Sequence, residues 1–233
     1  MPGGTYAVIP IKSFASAKRR LAPILNSRER TWLARLMLED VLDAVSAARR
    51  LSGFVAVTGD IDAAAAAEAR GGHVIREPRE LGLGHAVESG LAWLDGRAGG
   101  AVVVPTDIPH VPPATIDAVI AETPDDGVVL VPAASDGGTN MLSLRPCRIL
   151  PPLFGPHSFH RHHQAATARG AATRIHVCAR AGHDLDRPRD LADFLAFGSK
   201  TRTQDYLSGL GIGERMARLA GAQIPANLAE ASA

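Results

Sequence analysis

Cysteine is nearly missing from this chain. Only Cys147 and Cys178 occur in 233 residues, which excludes a disulfide framework and points to a reducing cytoplasm. Both lie in or beside apolar runs without a neighbouring catalytic dyad, so they read as buried thiols. An excess of one charge is missing too. The chain has 25 Lys and Arg against 24 Asp and Glu, a net charge of +1. That balance excludes broad electrostatic attachment to nucleic acid or a membrane surface, so any affinity for anions has to come from a local site. No apolar stretch is long enough to span a bilayer. The first residues lack the basic, apolar, small-residue order of a signal peptide, so none is expected. There is no Walker-type Gly-x-x-x-x-Gly-Lys-Ser and no Gly-x-Ser-x-Gly elbow. The histidines His157, His160, His162 and His163 fit neither a zincin helix nor a zinc finger. Some of them are suited to supply positive or hydrogen-bonding character near a phosphate site, and most are expected to face solvent.

What remains is an α/β pattern of a length that suits one domain with a sizeable core. Strands are predicted at Tyr6–Ile11, Phe54–Thr58, His73–Ile75, Ala101–Pro105 and Arg174–Cys178. Leu33, Leu36, Met37, Val41, Leu42 and Val45 recur at helical spacing after Ser27, a predicted N-cap. Further helices are predicted after Asp60, over His85–Leu94, around Ile116–Ile120, over Ser158–Ala168, from Pro188 to Phe197 and over Gln204–Ala220. Repeated βα units imply a mostly parallel, twisted sheet with helices on both faces, a Rossmann-like arrangement. Val128–Val131 and Met141–Leu144 flank a glycine-rich turn and form the arms of an excursion.

Ligands in such a sheet bind at the carboxyl ends of the strands. The first strand ends at Lys12, and Lys18, Arg19 and Arg20 follow, so up to four cations share the first loop. That loop is either a phosphate site or a solvated basic turn. Asp107 stands just past the strand ending at Pro105. It is placed either to hold Mg²⁺, which takes one or two carboxylates plus phosphate oxygens, or to cap a turn. Asp184 and Asp186 share one side of an extended segment. One of them meets the metal from the other side, and Asp186 is equally suited to cap the helix starting at Pro188. Asp136-Gly137-Gly138-Thr139-Asn140 combines bare backbone with small hydrogen-bonding groups, which suits amides wrapped around an anion. Phe154-Gly155-Pro156-His157-Ser158-Phe159 leads into a helix start, whose free N–H groups also attract phosphate. Together the two runs read as a cradle for a small phosphorylated acid.

With these motifs in this order, the chain resembles the 2-phospho-L-lactate or phosphoenolpyruvate guanylyltransferases of coenzyme F420 biosynthesis. The resemblance covers roughly Tyr6 to Phe197. It implies a nucleotidyltransferase domain related to glycosyltransferase-A folds over residues 1–198, followed by a C-terminal extension, residues 199–233, partly helical and then frayed. It also implies GTP, Mg²⁺ and an acid among 2-phospho-L-lactate, phosphoenolpyruvate and 3-phospho-D-glycerate, in a cytoplasmic enzyme that is free to form a homo-oligomer. Carried over by motif, Lys12, Lys18 and Arg20 are triphosphate contacts, and Asp107 with Asp184 or Asp186 are metal ligands. Thr139, Gly155 and Ser158, beside Gly138 and Asn140, are acceptor ligands. The family shows Gly-Leu-Asn before the third helix, where this chain has Gly82-Leu83-Gly84-His85. A nucleotide contact made by that asparagine is therefore absent or rerouted here.

Overall fold

The computed structural model describes residues 3–222. In chain order the elements are β1 (Thr5–Pro10), α1 (Ser27–Ala47), β2 (Leu51–Thr58), α2 (Ile61–Glu68), β3 (His73–Arg76), α3 (Leu83–Leu94), β4 (Gly100–Val103), α4 (Pro113–Glu122), β5 (Gly127–Pro132), β6 (Thr139–Arg145), α5 (Ser158–Ala168), β7 (Ala172–Ile175), α6 (Ala179–Gly182), α7 (Pro188–Ala196), α8 (Arg202–Gly209) and α9 (Ile212–Ala222). The strands form one sheet in the order β3-β2-β1-β4-β6-β5-β7. β1, β2, β3 and β4 pair in parallel, as do β5 and β7, while β6 runs antiparallel to both of its neighbours.

Alternation along the strands sorts the core into two layers. Ala7 and Ile9 of β1 point to α1, α2 and α4, meeting Leu38, Val41, Ala63 and Ile116. Val8 between them points the other way, to Val87 and Leu91 of α3. Gly90 of α3 lies so close to the sheet that a Cβ there would stand 2.5 Å from Val8 Cγ1. The crossovers α1 and α2 thus cover one face and α3 the other, so the winding reverses between β1 and β4. That reversal opens a crevice at the carboxyl edge, the usual ligand position in such sheets.

Because β6 reverses, the β5–β6 turn returns to the same edge. Leu142 pairs with Val103. Thr139, three residues earlier on the antiparallel strand, therefore stands level with the segment just after β4. The excursion predicted around the glycine-rich turn is this hairpin.

A third cluster lies beyond the sheet. Leu21, Leu33, Met37, Leu185, Leu191 and Phe194 pack with Leu207 of α8 and Ile212 of α9. Asp40, buried in α1, clamps α8 to it. Its Oδ2 accepts from Thr203 N at 2.9 Å and Thr203 Oγ1 at 2.6 Å, and its Oδ1 accepts from Arg202 N at 3.0 Å. The C-terminal helices are thereby docked on α1 and α7.

Several boundaries differ from expectation for local reasons. Asn26 rather than Ser27 caps α1, because its Oδ1 accepts from Glu29 N while Glu29 Oε2 accepts from Asn26 N. The helix predicted over Gln204–Ala220 is two helices, broken where Gly211 takes a φ of +60°. β7 ends at Ile175 rather than running to Cys178, and the short α6 follows. Residues 223–233, most of the predicted frayed tail, lie outside the described residues.

Candidate functional site

The cation turn and the acidic segment share one apolar anchor. Lys18 and Arg20 lead into the fully buried Leu21, and Asp184 and Asp186 flank the fully buried Leu185. Leu21 and Leu185 belong to the same cluster. Leu185 N also donates to Asp107 O at 3.0 Å, tying the acidic segment to the loop after β4. Burial of the leucines thus turns the charged side chains toward the crevice.

There the charges interlock. Lys18 Nζ lies 2.7 Å from Asp186 Oδ1 and 3.4 Å from Asp107 Oδ2, with only 10 % of the side chain exposed. Burial opposes the Lys18 charge, but the two carboxylates outweigh it and its pKa is raised. Burial also works against the Asp186 charge, and Lys18 overcomes it, so Asp186 is held below the usual carboxylate range. Arg20 is mostly exposed and reaches Asp186 Oδ2 at 3.7 Å. Lys18 has a φ of 53°, a left-handed conformation uncommon for a residue with a Cβ.

Lys12, Lys18, Asp107 and Asp186 line one cavity of about 390 Å³ at the carboxyl edge of the sheet. Phe14 and Met37 wall it on the α1 side, Leu83 and Ala86 on the α3 side, and Glu77 also faces into it. Asp184 borders a smaller neighbouring cavity of about 300 Å³ with Ser135 and Asp190. Its Oδ1 is buried without a hydrogen-bond partner. Burial and the nearby charge of Asp107 push the Asp184 pKa up to about 6. An orphaned carboxylate oxygen beside a second carboxylate fits a divalent cation. Among the described residues, no group of three or more His, Cys, Asp or Glu side chains stands ready to hold an ion without help. Asp186 does not cap α7. That work falls to Asp190, whose Oδ2 accepts from Asp186 N at 3.0 Å and Arg187 N at 2.6 Å.

The two glycine-containing runs meet one strand further along the same edge. Phe159 N donates to Gly137 O at 3.2 Å, and Thr139 N donates to Ser158 Oγ at 2.8 Å. His162 is buried, unlike His157, His160 and His163. Leu153 N donates to His162 Nε2 at 2.9 Å, which assigns the ring proton to Nδ1, 3.0 Å from Thr139 Oγ1. Burial lowers the His162 pKa to about 4, in keeping with a neutral ring. Thr139 and Ser158 therefore accept from the protein and keep their hydroxyl protons to donate. Gly138 N donates to Asp136 Oδ1 at 2.8 Å, and Asn140 Nδ2 donates to Ala181 O at 2.9 Å. Asn140 is thus a brace between β6 and α6. Gly155, with a φ of +116°, accepts from Ser158 N at 3.1 Å. Lys18 and His157 are the non-glycine residues with positive φ among those described, and both stand at these turns.

Of the candidates, Lys12, Lys18, Asp107 and Asp186 share a cavity, Asp184 adjoins it and Arg20 stands at its rim. Thr139, Gly138, Gly155 and Ser158 form a second group beyond β4 and do not line that cavity. Sequence reasoning overlooked Glu77 and did not single out His162 from the other three histidines. For His162 a signal existed: Ser158, His162 and Ala166 follow one another at four-residue spacing on one buried helix face.

Comparison with known proteins agrees with this architecture. A sequence model of the family described as "Guanylyl transferase CofC like" matches residues 5–223 and so takes in both C-terminal helices. Phosphoenolpyruvate guanylyltransferase of Sphaerobacter thermophilus is 34 % identical over 81 % of this chain and 91 % of its own. 3-phospho-D-glycerate guanylyltransferase of Phenylobacterium zucineum is 35 % identical over 88 % and 95 %. 2-phospho-L-lactate guanylyltransferase of Methanothermobacter thermautotrophicus is 31 % identical over 88 % and 91 %. In fold, the chain is similar to a protein of Desulfovibrio desulfuricans named as a candidate nucleotide-diphospho-sugar transferase (TM-score 0.73, 17 % identity, 91 % of this chain and 98 % of the other). It is also similar to a nucleotidyl transferase of Methanothermobacter thermautotrophicus (TM-score 0.62, 16 % identity, 82 % and 95 %). The single α/β domain is therefore of the nucleotidyltransferase type, and by sequence the chain belongs to the guanylyl transferase CofC-like family.

Proposed function

We propose that this protein transfers a guanylyl group from GTP to a small phosphorylated acid and releases pyrophosphate. The supporting observation is the meeting, at one sheet edge, of a cation turn, two unequal carboxylates and a hydroxyl-bearing cradle. The curated relatives above are named for three acids, phosphoenolpyruvate, 3-phospho-D-glycerate and 2-phospho-L-lactate, and the acceptor of this chain is one of them. The product places the reaction in the assembly of a guanosine-linked precursor, as in coenzyme F420 biosynthesis.

The chemistry is governed by charge. A phosphate oxygen of the acid attacks the α-phosphorus and pyrophosphate leaves in line. The nucleophile is already anionic, so the reaction needs no general base. Its obstacle is repulsion between two anions and the charge that builds on the leaving group. Lys12, Lys18 and Arg20 lower both barriers by holding the triphosphate. The Thr139 and Ser158 hydroxyls, fixed from behind by His162 and by the Thr139 amide, fix the acid's phosphate and align it. Asp107 and the orphaned Asp184 suit a divalent cation, Mg²⁺ in this reading, better than Asp186, whose carboxylate is committed to Lys18 and Arg20. Such an ion would supply electrostatic neutralisation of phosphate oxygens.

Incubation with GTP, Mg²⁺ and each acid in turn, followed by mass analysis, tests the reading. One acid should yield a diphosphate-linked guanosine adduct and an equal amount of pyrophosphate. Absence of any adduct with all three acids would refute it.

A further inference from the structure

Glu77 lines the same cavity as Lys18 and Asp107. It follows β3, and Asp107 follows β4, with β2 and β1 between them in the sheet. Three inter-strand steps separate the two strand ends by about 14 Å along the edge. A nucleotide with its phosphates against Lys18 would have room in this cavity to bring its base to Glu77.

Glu77 is held in place from several sides. Its N–H donates to Thr58 O at 2.9 Å, which continues the pairing of β3 with β2 by one residue. Its carbonyl lies over Gly59 so tightly that a Cβ there would stand 2.4 Å from the oxygen. Its side chain is only 10 % exposed, and Oε1 meets His85 Nδ1 at 2.9 Å. His85 belongs to the first turn of α3, so the carboxylate is oriented by an element of the core. Glu80, the other glutamate lining the cavity, is exposed and accepts from Ser13 N in the first loop.

Guanine presents two adjacent donors on one edge, N1–H and the 2-amino group. A carboxylate accepts both at once. Adenine places an acceptor at N1, which a carboxylate repels. Xanthine keeps N1–H but carries an oxygen at position 2, which suits a carboxamide rather than a carboxylate.

On the guanylyl-transfer reading, we propose that Glu77, oriented by His85, reads the Watson–Crick edge of guanine and sets the base specificity. Glu77→Gln preserves shape and reverses one half of the hydrogen-bond pattern. With the acid that the wild type uses, kcat/KM for GTP should fall about 10- to 100-fold, and that for xanthosine triphosphate should rise until it overtakes GTP. Calorimetric binding of GDP and xanthosine diphosphate should show the same inversion without any chemistry. Unchanged use of GTP, or an equal fall for both nucleotides, would overturn the assignment. So would an unchanged order of binding in a variant with the wild-type melting temperature. Failure of the wild type to turn over GTP would refute guanylyl transfer instead, and the binding comparison would still judge Glu77.

Discussion

The buried ring of His162 provides a sharp test, because its environment sets a definite response to acid. The ring is fully buried, accepts from Leu153 N and faces Thr139 Oγ1. Burial lowers its pKa from 6.5 to about 4. A depressed histidine pKa means that the unfolded chain takes up the proton first. The stabilising contribution is therefore present above pH 6.5 and is lost as the pH falls toward 4. At pH 5 the unfolded ring is almost fully protonated and the folded ring about one tenth so, a difference of about 2 kcal/mol against pH 7.5. His110, also buried and also lowered to about 4 by burial, adds a similar loss of its own. Comparing wild type with His162→Gln cancels the His110 share, since it is common to both. Urea denaturation at pH 7.5 and pH 5 should show the wild type losing about 2 kcal/mol more than the variant across that interval. An identical loss in the two proteins, or an NMR titration of the His162 ring near 6.5, would refute the reasoning.

Other outcomes follow from the same geometry. Asp107→Asn should lower turnover by about 100-fold or more while leaving the melting temperature close to wild type, as read by pyrophosphate release in Mg²⁺; near-normal activity would remove Asp107 from the site. Thr139→Val keeps the shape but removes the donating hydroxyl, so steady-state kinetics should show KM for the acid rising well above any change in KM for GTP. Leu185→Ala should cost about 2–5 kcal/mol, because a fully buried leucine anchors the acidic segment in the third cluster, and denaturant titration will measure it. That variant should also lose activity, since Asp184 and Asp186 depend on the same anchor.

The fold was largely legible in the sequence because buried strands announce themselves. Val102 and Val103 could hardly be anything else, and Ser158–Ala168 is the helix that its pattern predicts. The first-loop cations and Asp107 were legible for a related reason, since strand ends in a parallel sheet point to the ligand edge. The pairing of Lys18 with both Asp107 and Asp186 was not, because it joins residues 89 and 168 positions apart and depends on Leu21 and Leu185 meeting in one cluster. The uneven state of the two acids was equally hidden. Asp184 and Asp186 look alike in sequence, and only the position of Lys18 leaves one of them without a partner. His162 was not told apart from His157, His160 and His163 because its three exposed neighbours dominate the local impression. The break at Gly211 was missed because a helical pattern continues across it.

The reversed strand β6 has a consequence for how such enzymes diversify. It divides the carboxyl edge at a seam. On the proposed reading, the nucleotide rests on the all-parallel half, and the second reactant rests on a hairpin and helix start that the other half contributes. The scissile bond then straddles the junction. Substitutions that reshape the hairpin side can exchange one acid for another without disturbing the nucleotide, much as a jig keeps one clamp fixed while the other is refitted. A single ancestral frame could in this way give rise to relatives named for three different acids.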